Sequence, residues 1–559
     1  MRFLVVALAF LIAVPMTASA QTPADLVLHN AQIYTVDDDQ PEAEALAVRD
    51  GRLLMVGSNE DVRTAYPDAR RVDAGGRTVV PGLIDAHAHL MGLGQSRLQA
   101  NLVGTPSVTA ILDSLRDHAR KLPDDAWLQG RGWDQNDWET TAFPTRQDLD
   151  AAFPDRPVAL ERIDGHATWV NTAAIEATVG LDSLASMDDP AGGSIRRTED
   201  GTPTGVFIDA ASDIVRSQIP EPSEAELDRA LEAALTATVQ NGLTGVHDAG
   251  APRSTIERYQ RFIDDDRFPL RLYAMIDGRG ETFDYFCENG PIRDYGGRLS
   301  VRSVKFYMDG ALGSRGAALL EPYSDDPDNR GLLLKEPDTF RQDVLTSMRC
   351  GFQVNTHAIG DRANRLVLDA YENAINSLGA GAGRHRVEHA QILHPNDLPR
   401  FADLDVIASV QPTHATSDMP WADERLGDER LQTSYAWKSL IDSGAQVAFG
   451  SDFPVEDVNP LEGIYAAVTR QDADGNPEGG WMPSEKVSRE RALRGFTLDA
   501  AYAAFQEDEV GSLEAGKRAD FVVLSKDIME IPAPEILETD VVATYIGGEA
   551  VFTAAGWSE

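Results

Sequence analysis

The chain has 559 residues, 42% of them apolar, which is enough for one large domain with a sizeable core and a smaller companion. Asp and Glu number 90 against 50 Lys and Arg, giving a net charge of −40. That balance excludes nucleic acid and anionic membranes as partners, and it suits either an ordinary soluble surface or one adapted to salt, where screening relieves self-repulsion.

The N-terminus reads as a processing signal. Arg2 precedes a nearly unbroken apolar run over 3–15, and Ala18-Ser19-Ala20 forms an A-x-A cleavage site. Residues 1–20 are therefore expected to be a signal peptide, with the mature chain starting near Gln21 in the periplasm or outside the cell. The run is short of the roughly 20 residues a membrane span needs, and no Cys adjoins the cleavage site to carry a lipid anchor. Export permits disulfides. Cys287 and Cys350 could pair, but one pair in so long a chain is no disulfide scaffold, and two free, buried thiols are expected.

Residues 25–36, 43–56 and 70–80 read as short strands broken by Asp50-Gly51 and Gly75-Gly76. The C-terminal stretches 519–524, 541–546 and 550–553 have the same texture. Neither end carries enough apolar surface for a domain, so residues 21–80 and 508–559 are expected to build one composite β-sandwich. Between them, eight apolar runs end in polar or ionisable residues: 79–89, 242–250, 271–276, 301–310, 352–361, 385–391, 406–414 and 445–454. Helical patterns separate most of them. In 361–378, Leu366, Ala370, Ala374 and Leu378 recur every four residues and mark an apolar face. Strands alternating with helices predict a (β/α)8 TIM barrel over 81–507, an α/β architecture. The first gap is too long for one crossover, so about 100–240 must hold an insertion, with helical patterns at 108–121 and 223–240 and a hairpin-like stretch at 188–205. Loops after the strands surround a barrel's mouth, which makes a cap the natural role for it.

Of eleven His residues, four close strand-like runs: His87, His89, His357 and His389. His87 and His89 are two apart, so on a strand they face the same way and can grip one ion. His357 and His389 end the fifth and sixth runs and converge on the same mouth. Imidazole suits zinc, and a carboxylate completes such a site. Asp452 ends the eighth run, beside the first strand in a closed barrel; a helix N-cap or turn is its plainer reading. Lys305 lies inside an apolar strand, where a lone ammonium is costly. Carboxylation by CO2 would turn it into an anionic carbamate able to bridge two metals; a salt-bridged or surface Lys is the alternative.

Seven stretches carry a resemblance over essentially the whole mature chain: PGLIDAHAHL (81–90), DGHATWVN (164–171), VKFYMDGALGSRGAAL (304–319), THAIGD (356–361), VEHAQ (387–391), GSDFPVE (450–456) and GSLEAGKRADFVVL (511–524). In this order they resemble the amidohydrolase superfamily, and more narrowly its YtcJ-like branch (amidohydrolase family 3), which includes N-substituted formamide deformylases. The resemblance implies His87, His89 and Asp452 around a first divalent metal, zinc by donor chemistry. It implies a carboxylated Lys305 bridging to a second metal on His357 and His389; members differ in whether one or two are bound. The implied reaction is hydrolysis of a non-peptide C–N bond, amide-like or cyclic, with Asp452 as general base and then general acid. Asp309, Arg315, His166 and His414 are the expected substrate contacts. His247 reads as a packed or pocket-wall residue, and His29, His118, His385 and His394 as structural. Trp127, Trp133, Trp138 and Trp169 cluster in the insertion, as its core or as the wall of an apolar pocket. The expected partner is a small-molecule substrate, and a homodimer is compatible with the sequence. Competing readings keep the metal but change the leaving group (deaminase, cyclic-imide hydrolase, ester or lactone hydrolase), or drop the metal for a binding protein on the same barrel.

Overall fold

A computed structural model describes residues 24–123, 126–135, 138–140, 142–163, 167–190, 193–379 and 383–557. The expected signal peptide lies outside the described residues. Among those described, no helix is long and apolar enough to cross a membrane.

Eight parallel strands form a nearly closed barrel: β1 (Leu83–Ala88), β2 (Leu243–Ala251), β3 (Arg271–Asp277), β4 (Leu299–Tyr307), β5 (Gln353–Ala358), β6 (Arg386–His389), β7 (Ile407–Val410) and β8 (Val447–Phe449). Each is hydrogen-bonded to its successor, so chain order is spatial order. Helices cover the outside while side chains fill the inside, which is why β1 is buried at every position. The seam between β8 and β1 is stitched by individual bonds rather than a ladder. The Asp452 amide donates to the His87 carbonyl at 2.7 Å, and Asp85 accepts from the Ser451 amide at 3.1 Å and its hydroxyl at 2.7 Å. Gly450 is required there, because a Cβ would stand 2.6 Å from both Asp85 Oδ1 and the His87 amide nitrogen.

The helix over Asp361–Leu378 forms as its spacing predicts, ending at Gly379 in the left-handed region (φ 61°). Its buried face is rotated from the predicted one. Ala363, Val367, Ala370 and Ala374 pack inward, while Leu366 and Leu378 are half-buried.

Both chain ends build the small β-domain. One sheet has the order 52–57, 45–49, 26–29, 70–73; the other has 549–553, 541–546, 521–524, 78–81, 32–34, 42–43. Val79 pairs directly with Val523. Leu28, Leu46 and Val72 from the first sheet share one core with Ile33, Phe521 and Tyr545 from the second. Gly82 alone separates this domain from β1.

The insertion leaves the C-terminal end of β1 through the helix Leu90–Arg97 and returns through Glu224–Gln240. Gly94 lets these helices touch: a Cβ there would fall 2.0 Å from the Ala230 carbonyl oxygen. The insertion is more than helices and a hairpin. It is a six-stranded sheet, ordered 193–197, 203–209, 167–170, 158–162, 128–133, 100–101. Trp133 and Trp169 are fully buried, 5.8 Å apart, with Trp138 beside them. These three are the insertion's core rather than a pocket wall; Trp127 packs half-buried in a neighbouring cluster.

The cysteines are not free thiols. Cys287 and Cys350 are disulfide-bonded, with Cα atoms 5.2 Å apart. They lie in the helix Glu281–Asn289 and at the C-cap of Pro337–Arg349, which follow β3 and β4. Adjacent parallel strands bring those helices side by side although 63 residues separate the sulfurs.

Candidate metal centre

Six predicted ligands meet at the C-terminal mouth of the barrel. His87 is the penultimate residue of β1, and His89 caps the helix that follows. Lys305 is two residues from the end of β4, His357 is penultimate in β5, and His389 ends β6. Asp452 follows β8. Asp452 Oδ1 stands 3.2 Å from His89 Nε2 and 3.6 Å from His87 Nε2. Lys305 Nζ is 3.0 Å from His87 Nε2. The His389 ring lies 4.9 Å from that of His87 and 4.6 Å from that of His357. Ligand atoms of His87, His389 and Asp452 all fall within 4.8 Å of one another.

Two of these residues break the pleat. His389 and Asp452 have φ of 75° and 65°, left-handed values that non-glycine residues rarely adopt. On a regular strand Glu388 would point away from the face His389 occupies. The turn at His389 instead lets both reach the centre. Such strain persists where the surroundings over-determine it, and here they do.

The outer imidazole nitrogens are each held by an acceptor. His87 Nδ1 is 2.5 Å from Glu388 Oε2, His89 Nδ1 is 3.0 Å from the Ala249 carbonyl, and His389 Nδ1 is 2.8 Å from Gln411 Oε1. Donation outward places the proton on Nδ1 and turns the Nε2 lone pair inward. Two such lone pairs therefore face Asp452 Oδ1, a buried atom that receives no hydrogen bond. Lys305 Nζ can donate to His87 Nε2, which leaves His89 Nε2 and Asp452 Oδ1 as two acceptors that repel one another unless a cation sits between them. Imidazole and carboxylate donors fit a zinc-class dication.

The electrostatics agree. Burial works to raise the Asp452 carboxyl, but any positive charge among the His89, His87 and His389 rings overcomes it and holds it well below the usual range. Burial, then the charge of Lys305, lowers His87 to about 4 and His357 to about 3. Burial brings Lys305 down to about 8, against the pull of Glu388 and Asp452. His87, His357 and His389 are thus neutral and ready to ligate at pH 7.

Glu388 is a residue the sequence reading missed. It is fully buried, and both of its oxygens face Arg386, with Nε–Oε1 at 2.8 Å and Nη2–Oε2 at 2.9 Å. Arg386 also donates to the Ser409 hydroxyl and to His247 Nδ1, each at 2.9 Å. His247 is accordingly packed inside the barrel as one end of a polar chain that runs through Arg386 and Glu388 to His87. A charged pair inside an otherwise apolar strand, in Arg386-Val387-Glu388-His389, was the available signal.

The predicted substrate contacts divide. His414 converges on the centre: its Nε2 lies 3.8 Å from Asp452 Oδ2 and 3.8 Å from Glu456 Oε1. Glu456, also missed, accepts from the Ser417 hydroxyl at 2.7 Å. Asp309 borders the centre, its Oδ1 3.7 Å from His357 Nε2, and has a structural task as well. It is fully buried and accepts the amides of Ala318, Ile359 and Gly360 at 2.8 to 3.0 Å, tying together the loops after β4 and β5. Arg315 pairs with Asp325 at 2.8 Å, a carboxylate shared with Arg425, and belongs to loop structure. His166 lies outside the described residues.

Known proteins share this organisation. The sequence pattern of the amidohydrolase family matches residues 70–552. The YtcJ protein of Bacillus subtilis strain 168 is 34% identical over 538 residues, covering 94% of this chain and 99% of its own. An N-substituted formamide deformylase of Arthrobacter pascens is 30% identical over 553 residues, covering 95% and 99%. The crystal structure of an uncharacterized metal-dependent hydrolase from Pyrococcus horikoshii OT3 superposes with a TM-score of 0.76 at 26% identity, covering 91% of this chain and 99% of that one. A family pattern matched over residues 70–552, and a 34% identity to YtcJ that runs nearly end to end, place this chain in the amidohydrolase family, among the relatives of YtcJ.

Proposed function

We propose that this exported hydrolase cleaves a non-peptide C–N bond, amide-like or within a cyclic amide, of a small-molecule substrate, and that Asp452 moves the proton. The observation that carries it is the convergence of His87 Nε2, His89 Nε2 and Asp452 Oδ1 on one cation-sized point. A divalent ion held there, zinc by donor chemistry, would supply Lewis acidity toward a carbonyl oxygen and acidify water. Asp452 turns Oδ1 toward the imidazoles and Oδ2 toward His414. The carboxylate can therefore accept a proton from water on one side and return it to a leaving nitrogen on the other. The deformylase relative supports amide-like substrates.

Lys305 enters this reading as a carbamate. Its Nζ sits 3.0 Å from His87 Nε2, and no carboxylate among the described residues pairs with it. Part of its population is free amine near neutral pH. Addition of CO2 to the free amine joins nitrogen to carbon and releases one proton; counted from the ammonium, two protons leave and a cation gives way to an anion beside the imidazoles. Export is supported by the leader sequence and by the disulfide, which fits an oxidising compartment.

The test is metal analysis of undialysed protein together with D452N. A metal content near one or two equivalents, and a D452N variant that keeps metal while losing about 100-fold or more of turnover on N-substituted formamides, is the expected result. Metal below ~0.2 equivalents supports a binding protein on the same barrel. Wild-type activity in D452N removes the proton role, and turnover confined to esters or amino-heterocycles reassigns the leaving group.

A further inference from the structure

A second charged site lies at the opposite end of the molecule. Where the small β-domain meets the N-terminal ends of the barrel strands, there is a cleft of about 590 Å³. Its walls include Arg52, Arg70, Arg271, Arg298 and Arg518. The five arginines share the cleft with Asp25, Asp50 and Glu549. Arg271 opens β3 and Arg298 immediately precedes β4, so these two come from the barrel floor. Arg52 and Arg518 come from the β-domain.

Part of this set is explained by the domain junction. Arg271 clasps Asp520 through Nε at 2.5 Å and Nη2 at 2.7 Å, and gives its third donor to the Gly297 carbonyl at 2.7 Å. Arg52 and Arg518 share one carboxylate, Glu509, at 2.7 and 3.2 Å. Arg298 is different. Its only described hydrogen bond goes to the Pro269 carbonyl, and no carboxylate among the described residues stands within ion-pair distance of it. Burial, and then the like charge of Arg271, depresses its guanidinium below the usual value. Arg518 is close at hand, since a Cβ on Gly297 would lie 3.3 Å from its Nη1. Of the acids that line the cleft, Asp50 pairs with Arg49, Asp25 accepts the Asp50 amide, and exposed Glu549 pulls on Arg298 from a distance, as Asp520 does, without an ion pair. Two glycine pairs, Gly296-Gly297 and Gly547-Gly548, add no side chains and keep the space open.

A half-buried guanidinium with unused donors, flanked by two more and facing a cleft, lacks one component: an anion. We infer that this cleft binds a small multivalent oxyanion, held by Arg298 from the barrel and Arg518 from the β-domain. The planar fork of arginine matches phosphate and carboxylate oxygens, and the volume admits an ion the size of phosphate or citrate. Such a ligand would bridge the two domains at a point remote from the metal centre.

The experiment is equilibrium dialysis of the intact, metal-loaded protein against radiolabelled inorganic phosphate at fixed ionic strength in KCl, comparing wild type, R298Q and R298K. One saturable site of sub-millimolar affinity is expected, weakened about 10-fold or more in R298Q and less in R298K, with hydrolysis unchanged in both. Phosphate that binds at the metal centre instead would be insensitive to Arg298 and would inhibit hydrolysis. Competition by citrate assigns the site to multivalent oxyanions generally, and its failure restricts the site to phosphate. Equal phosphate binding in wild type and R298Q overturns the proposal, as does the absence of binding by the wild type at 10-fold its expected range. Should R298Q not fold, the wild-type and R298K arms decide alone.

Discussion

His87 can serve a cation only while its ring stays turned, and what turns it is Glu388, 2.5 Å from Nδ1. In E388Q the amide oxygen still accepts from the imidazole, but the charge that favours an Nδ1 proton is gone and Arg386 loses its only ionic partner. Metal affinity, measured by competition with a chelator, is expected to fall by about 10- to 100-fold. Removing one half of a buried ion pair is expected to cost roughly 3–5 kcal/mol of folding stability, read by denaturant unfolding. Wild-type affinity in a folded E388Q protein would show that the ring is oriented by packing alone. At this scale the sequence was legible where a residue type announces its chemistry, as with His87, His89 and Asp452. It was illegible where a backbone departs from regularity: Arg386 and Glu388 face inward together as alternation requires, but the left-handed φ of His389 brings the next ring to the same centre, and no periodicity encodes it. Asp309 has a structural role that the motif did not announce. Its carboxyl looks like a pocket group in the motif, yet the burial that raises it to about 7 comes with three backbone amides that claim its oxygens.

Between elements, β5 and β6 are joined by a titratable contact. His385 precedes β6, is buried, and accepts the Val354 amide of β5 on Nδ1 at 3.0 Å. Burial lowers its pKa to about 4, below the ordinary 6.5. The folded state therefore resists protonation that the unfolded chain accepts. The contribution is full above pH 6.5 and is lost as pH falls toward 4, a loss of about 3 kcal/mol over that window. H385N, whose side-chain oxygen can accept the same amide without titrating, is expected to flatten the acid limb of the stability curve; an unchanged limb would place the titration elsewhere. The disulfide acts at the same scale. Opening its loop of 63 residues is expected to cost about 4 kcal/mol, so the C287S/C350S double variant should unfold at lower denaturant with metal content intact. The cysteines could not be paired from sequence, since each sits in a different βα unit and only the order of β3 and β4 makes their helices neighbours.

Across the whole molecule, the eight apolar runs, the long first gap and the matching texture of the two ends were enough to draw the barrel, its insertion and the composite β-domain. The insertion's sheet was not, because its strands are short and their tryptophans read equally well as core or pocket. The shared β-domain also sets a timetable for synthesis. Residues 26–81 emerge first, yet the strands that complete their sheets, 521–524 and 541–553, emerge last. Until the final segment leaves the ribosome, the edge of 78–81 that faces 521–524 has no partner, and the apolar surface that Phe521 and Tyr545 cover stays wet. A chain ending at residue 515 should therefore be found in aggregates rather than as a soluble barrel, and a soluble, metal-binding product of that length would show that the barrel matures without its late strands. A protein assembled this way cannot finish folding while it is still being made.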